Sequence, residues 1–142
     1  MPTRRAEATW QGDLVTGTGT VKTETGSVNQ PYAFKNRFEN TPGTNPEELL
    51  GAAHASCFAM ALSHMLASGG HKPTRVTAKA EVTINKVGEG FKITGILLIC
   101  DAVVPGIDDA AFQETAAKAK AGCPVSQALS ATPIELKATL QK

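Results

Sequence analysis

Two cysteines in unlike settings carry the first chemical signal of this chain. Cys57 lies in the apolar run from Leu49 to Leu62, whose polar interruptions are His54 and Ser56. Cys123 stands in Gly122-Cys123-Pro124-Val125-Ser126-Gln127. A thiol reacts as its thiolate: at a pKa of about 8.5 only about 3% is ionised at pH 7, whereas a pKa near about 6 gives about 90%. Burial works against ionisation. Cys57 is therefore either a small packed hydrophobe, as buried cysteines commonly are, or a nucleophile with a cation or hydrogen-bond donors beside it. The cations to consider are Arg37, His54 one helical turn earlier, and His64. Arg37 is interleaved with Tyr32, Phe34 and Phe38. That setting suits an inward guanidinium, or a surface arginine whose stem packs on Phe38. An inward Arg37 requires a carboxylate, because an unpaired buried charge is expensive. Glu47 is the natural partner, since Glu48 is placed for a helix cap. Glu47 precedes Cys57 by ten positions, about 15 Å along a continuous helix. Either Arg37 bridges that gap or Glu47 comes from a second subunit.

Cys123 follows a glycine stop and precedes a proline, which places it at the N-cap of a new helix. Amide donors and the helix dipole lower a thiol pKa there. The alternative is a cap residue without redox consequence. Sixty-six residues separate the two cysteines, so spacing does not show whether they meet. Cys100 ends the apolar run Ile96–Cys100 and reads as a packed thiol. His54 and Cys57 at i,i+3 could begin a metal site, but no further ligands stand at a recognisable spacing, so neither metal nor cofactor is expected. Ser56, Ser63 and Ser126 lack the G-x-S-x-G setting of a hydrolase nucleophile.

The elements that must position these residues are legible from pattern. The N-terminal third reads as strands: Ala6, Ala8 and Trp10 alternate with polar residues, Gln11-Gly12-Asp13 turns the chain, and Gly19–Thr25 is rich in Thr and Val. Gly26, Asn29 and Pro31 break this pattern, and Tyr32–Phe38 is a third strand or an ordered loop. A long helix then runs from Pro46 to about Leu66 and stops at Ser68-Gly69-Gly70. Asn45 is its N-cap, Pro46 suits its first position, and Glu48 takes the capping-box place. Val76–Lys86 and Phe91–Val104, with Gly88-Glu89-Gly90 between them, predict an antiparallel hairpin. Asp108 caps a second helix that ends at Gly122, a short turn follows Pro124, and Ile134–Leu140 is a closing strand. The order βββ-α-ββ-α-β predicts one α+β domain over residues 1–142 with antiparallel sheet.

The 142 residues suffice for one core. Fourteen basic and thirteen acidic residues leave a net charge of +1. No basic stripe supports nucleic-acid or membrane-surface binding. The N-terminus lacks an apolar signal-peptide core, so a cytoplasmic protein with resting thiols is expected. His54, Ser56, Ser63, His64 and the leading glutamates argue for a buried core helix over a membrane span. That helix is apolar on nearly every face and carries Gly51, Ala52, Ala53, Ala55 and Ala59. One sheet covers one face of a helix, so a two-fold dimer burying it between two sheets is expected.

The chain resembles the osmotically inducible protein C and organic hydroperoxide resistance family over nearly its whole length. The likeness rests on Trp10-Gln11-Gly12-Asp13-Leu14, Gly17-Thr18-Gly19-Thr20, Asn29-Gln30-Pro31-Tyr32, Arg37-Phe38 and Thr44-Asn45-Pro46-Glu47-Glu48-Leu49. It continues in Ala52-Ala53-His54-Ala55-Ser56-Cys57-Phe58, Val104-Pro105-Gly106-Ile107 and Ala119-Lys120-Ala121-Gly122-Cys123-Pro124-Val125-Ser126. The N-terminal motif and the Arg37 context are nearer the osmotically inducible branch. The resemblance implies antiparallel sheets wrapped around long central helices in an intertwined homodimer. It implies a thiol peroxidase with Cys57 peroxidatic, Cys123 resolving, and Arg37 with Glu47 activating the thiolate. It further implies an organic hydroperoxide substrate, reduced in preference to hydrogen peroxide, and a dithiol reductant such as a lipoyl group. A non-catalytic stress-related module that holds an apolar ligand in the dimer cleft is the competing expectation.

Overall fold

The computed structural model describes every residue from Met1 to Lys142. Its contacts divide into two units, Met1–Leu49 and Leu50–Lys142.

The first unit holds an antiparallel sheet of β1 (Ala6–Gln11), β2 (Thr18–Thr23) and β3 (Asn29–Tyr32), in that order. Trp10, Gly19 and Tyr32 are register partners across all three strands. The glycine in the middle lets the two rings lie over the sheet with centroids 5.3 Å apart. A Cβ at Gly19 would stand 2.6 Å from the Trp10 ring and 2.8 Å from that of Tyr32. The β1–β2 connection turns at Gly12, with φ at +92°. It is held by Asp13 Oδ1, which accepts from the Val15 and Thr16 amides at 2.9 Å each. These donors, with the Thr16 hydroxyl foremost, hold the Asp13 carboxyl below its ordinary pKa.

The segment after β2 departs from expectation. Asn29–Tyr32, read as a break, is the edge strand, where the missing N–H of Pro31 is tolerated. The stretch read as a third strand or loop holds a one-turn helix, α1 (Phe34–Phe38). Asn36 decides this locally: its Oδ1 accepts from the Ala33 amide at 2.8 Å and its Nδ2 donates to the Pro42 carbonyl at 3.0 Å. Phe34 and Phe38, one turn apart, pack at 4.8 Å.

Helix α2 (Pro46–Ser68) starts in the first unit and continues through the second. Its start is as expected, with Asn45 Oδ1 accepting from the Glu48 amide at 2.8 Å. By length and composition it would suffice to cross a membrane. Here Gly51, His54, Phe58, Leu62 and Leu66 are buried, at the i, i+3, i+7 spacing of one face.

In the second unit β4 (Arg75–Val87) and β5 (Gly90–Val103) form the expected hairpin across Gly88-Glu89, with Gly88 φ at +62°. Helices α3 (Asp109–Gly122) and α4 (Pro124–Ala128) then lead to β6 (Ile134–Leu140). Asp108 caps α3 by accepting from the Ala111 amide at 2.8 Å. β6 pairs parallel to β5, so this sheet is mixed rather than antiparallel throughout. Two helices between the strands form the crossover that a parallel pair requires. Gln113 and Lys120 of α3 donate to the Ala138 and Ile134 carbonyls of edge strand β6. The core is built from Phe58, Leu62 and Leu66 of α2, Leu98, Cys100 and Ala102 of β5, and Phe112, Ala116 and Ala119 of α3.

Candidate active site

The first unit holds a charged cluster. α1 projects Arg37, and the first turn of α2 supplies Glu47, 7% exposed. Arg37 Nη2 donates to Glu47 Oε1 at 2.9 Å, while Nε donates to both carboxylate oxygens at 3.1 and 3.3 Å. Two adjacent nitrogens of one guanidinium thus grip one carboxylate, a geometry a lysine ammonium cannot reproduce. Phe38 lies beneath, with Arg37 Cζ 5.2 Å from its ring centroid. The guanidinium is therefore fixed on two sides, with its Nη1 end left as a donor edge. Beside it opens a cleft of about 350 Å³ lined by Trp10, Leu14, Tyr32, Phe34 and Phe38 together with Arg37. An apolar wall with one cation suits a ligand that has an alkyl or aryl body and a polar head.

The second unit holds the thiol pair. Cys57 sits half-buried on α2. Cys123 closes α3 and opens α4, the N-cap position expected for it, and is fully buried. All three cysteines are free thiols. Those of Cys57 and Cys123 hydrogen-bond each other, although the sequence separation did not reveal it. Burial pushes the Cys57 thiol up and donation to Cys123 raises it further, against the Val125 amide, which pulls it down. Burial would raise Cys123 as well. It is outweighed by the Cys57 thiol, the Ser126 amide and hydroxyl, and the Val125 amide, so the Cys123 thiol lies below its ordinary value. The two shifts run in opposite directions, so the Cys123 thiol ionises more readily than that of Cys57. Cys100, on β5, is buried in the core, and its thiol is pushed up to about 11 by burial and then by Asp101.

Several residues weighed as helpers are elsewhere. His64 lies on the exposed side of α2. His54 is fully buried and turned to Ser126, with Nε2 2.7 Å from Ser126 Oγ. Burial pushes its imidazole pKa down, so it supplies no cation to Cys57. No cluster of three or more His, Cys, Asp or Glu is arranged for a metal ion. Phe58, next to Cys57 in sequence, is in the core and Met60 is 75% exposed, whereas Tyr32 and Phe34 line the cleft around Arg37. Ser126 escaped the sequence reading as a site residue. Its signal was its place three residues after Cys123, mirroring His54 three residues before Cys57.

Relatives match this picture. A family model described as OsmC-like protein covers residues 38–138. The chain is 54% identical over 129 residues to the peroxiredoxin OsmC of Escherichia coli K12, spanning 90% of each sequence. It is 38% identical over 87 residues to the organic hydroperoxide resistance protein of Xanthomonas axonopodis pv. citri, covering 61% of this chain and 59% of that one. Among solved structures, the organic hydroperoxide resistance protein OsmC of Legionella pneumophila superposes with a TM-score of 0.73 at 25% identity, over 100% of this chain and 98% of the other. With the family model spanning residues 38–138 and a relative above half identity, the chain belongs to the OsmC-like protein family.

Proposed function

We propose that the chain is a thiol peroxidase that reduces organic hydroperoxides, and hydrogen peroxide less efficiently, with Cys57 as the peroxidatic and Cys123 as the resolving cysteine. The observation that carries this reading is the direct hydrogen bond between the two thiols, over the amides that open α4. In the first step the Cys57 thiolate attacks the terminal peroxide oxygen. The O–O bond breaks, Cys57 becomes a sulfenic acid, and the alkoxide takes a proton to leave as alcohol. Cys123 then attacks the sulfenic sulfur, forming the disulfide and releasing water. An external dithiol, such as a lipoyl group, restores both thiols by exchange and is itself oxidised to a disulfide.

Arg37 and Glu47 have a defined task in this scheme. Burial and the Cys123 thiol push the Cys57 thiol up, against the thiolate that the first step needs. A guanidinium beside Cys57 moves the charge onto it and also meets the charge that develops on the leaving oxygen. Glu47 aims that guanidinium. Glu47 and Cys57 stand ten positions apart on α2, about 15 Å. This favours a homodimer in which one protomer's Arg37–Glu47 pair serves its partner's thiols, and in which the 1–142 chain acts as one domain. Ala52, Ala53, Ser56 and Met60 on the exposed side of α2 are small enough, Met60 apart, for close helix contact with a second copy. The reduced resting thiols suit the cytoplasm.

Turnover of cumene hydroperoxide and hydrogen peroxide, with monothiol and dithiol reductants, tests the scheme in wild type, Cys57→Ser and Cys123→Ser. Turnover should vanish in Cys57→Ser, and Cys123→Ser should stop after one oxidation. Undiminished turnover in Cys57→Ser would sink the peroxidase reading. Free thiols that survive stoichiometric hydroperoxide in wild type would favour an apolar-ligand module using the aromatic cleft. Sedimentation of Met60→Glu against wild type tests the dimer, with a shift toward monomer expected.

A further inference from the structure

On the thiol-peroxidase reading, we propose that His54 is a positioning residue for the resolving cysteine: acting through Ser126, it holds the Cys123 sulfur as a thiolate, both when that sulfur attacks the Cys57 sulfenic acid and when it leaves on reduction.

Two polar side chains are buried beside the apolar core. His54 is 0% and Ser126 4% exposed. His54 Nε2 and Ser126 Oγ are 2.7 Å apart. His54 Nδ1 is buried with no partner. That orphan selects the tautomer. A proton on Nδ1 would leave a buried N–H unsatisfied, a rarer and costlier state than a bare lone pair. The proton therefore sits on Nε2, which donates to Ser126 Oγ. A hydroxyl that accepts on one side keeps its own O–H for its other neighbour. That neighbour is Cys123, which Ser126 faces with both its amide and its hydroxyl. The chain of donors runs from Nε2–H through Oγ–H to the sulfur.

The helical spacing explains why the two contacts coexist. His54 and Cys57 are three apart on α2, and Cys123 and Ser126 are three apart in the turn closed by the Gln127 amide on the Cys123 carbonyl at 3.0 Å. Residues at that spacing share a side of a helix. The contacts Cys57–Cys123 and His54–Ser126 are two neighbouring rungs between the same elements. Burial keeps His54 neutral, so it acts as an oriented donor rather than as a charge.

The consequence for the reaction is directional. In closure the Cys123 thiolate attacks the Cys57 sulfur. The S–S bond forms, the S–O bond breaks, and the departing hydroxide takes up the equivalent of the proton Cys123 lost. In reduction a thiolate of the dithiol attacks Cys57, the half-exposed sulfur, because Cys123 is closed to solvent. The electron pair of the broken S–S bond goes to Cys123, which leaves as a thiolate facing the Ser126 hydroxyl. A lower leaving-group pKa speeds that departure. The second thiol of the reductant then displaces Cys57 from the mixed disulfide.

The test separates the steps in single turnovers with cumene hydroperoxide. Cys57 sulfenic acid is followed by dimedone trapping, and closure by loss of free thiols. Ser126→Ala and His54→Leu should slow closure about 10- to 100-fold, the loss of a hydrogen bond to a charged sulfur, with Cys57 oxidation staying close to wild type. Ser126→Thr, which keeps the hydroxyl, and His54→Gln, which keeps a donor, should restore most of the rate. If His54→Leu does not fold, the Ser126→Ala and Ser126→Thr pair decides. Unchanged closure in Ser126→Ala, or equal slowing of both steps, overturns the proposal. A wild type that never forms a sulfenic acid overturns the peroxidase reading instead.

Discussion

The two units of this chain are stabilised in different ways. The second has a closed core, in which Phe58, Leu62, Leu98, Phe112, Ala116 and Ala119 are all fully buried. The first has a sheet, two aromatic contacts and a one-turn helix, but its buried residues are Gly17, Gly19 and Glu47. Its order comes from stacking, a hydrogen-bonded turn and an ion pair rather than from excluded water. The thiol pair lies in the cored unit, and Arg37, Glu47 and the aromatic cleft lie in the uncored one.

Mutations can break that contrast. Phe58→Ala should lower unfolding free energy by about 3–5 kcal/mol, the range for deleting a buried aromatic, measured by chemical denaturation. Trp10→Ala should cost about 0.5–1.5 kcal/mol if stacking with Tyr32 is its main contact. A cost for Trp10→Ala equal to that for Phe58→Ala would show that a second copy covers the first unit. Arg37→Ala should reduce kcat/KM for hydroperoxide by about 10²–10³-fold, and Arg37→Lys should restore little of it, because the two-point grip on Glu47 is lost.

Smaller effects sharpen the comparison. Gly19→Ala places a Cβ 2.6 Å from the Trp10 ring, and the overpacking should cost about 1–3 kcal/mol. His54 gives the cored unit a pH signature. Its folded pKa lies below the ordinary 6.5, so between those two values the unfolded chain binds the extra proton. Stability then falls as pH drops below about 6.5, by at most about 1.4 kcal/mol per pH unit, and is fully present above it. His54→Gln should flatten this slope in denaturation curves recorded across that window.

Much of this was legible in the residues. Asn45-Pro46 announced the start of α2, Asp108 that of α3, and Gly88-Glu89 the hairpin, because each satisfies local backbone chemistry. Cys57, Cys123, Arg37 and Glu47 stood out by type and setting. The edge strand at Asn29–Tyr32 and helix α1 were hidden, since Pro31 is tolerated only at an edge and the turn of α1 depends on Asn36.

By itself the sequence determined the long helix, the hairpin and the closing strand, that a thiol lies within an apolar helix, and that an arginine among aromatics needs a carboxylate if it points inward. Those follow from interactions between near neighbours. Tertiary structure alone decided that β6 runs parallel to β5, that Cys57 and Cys123 meet, and that His54 turns from Cys57 toward Ser126. Each of these joins residues far apart in the chain. Local spacing places a side chain on a face of its helix, but packing decides what that face meets.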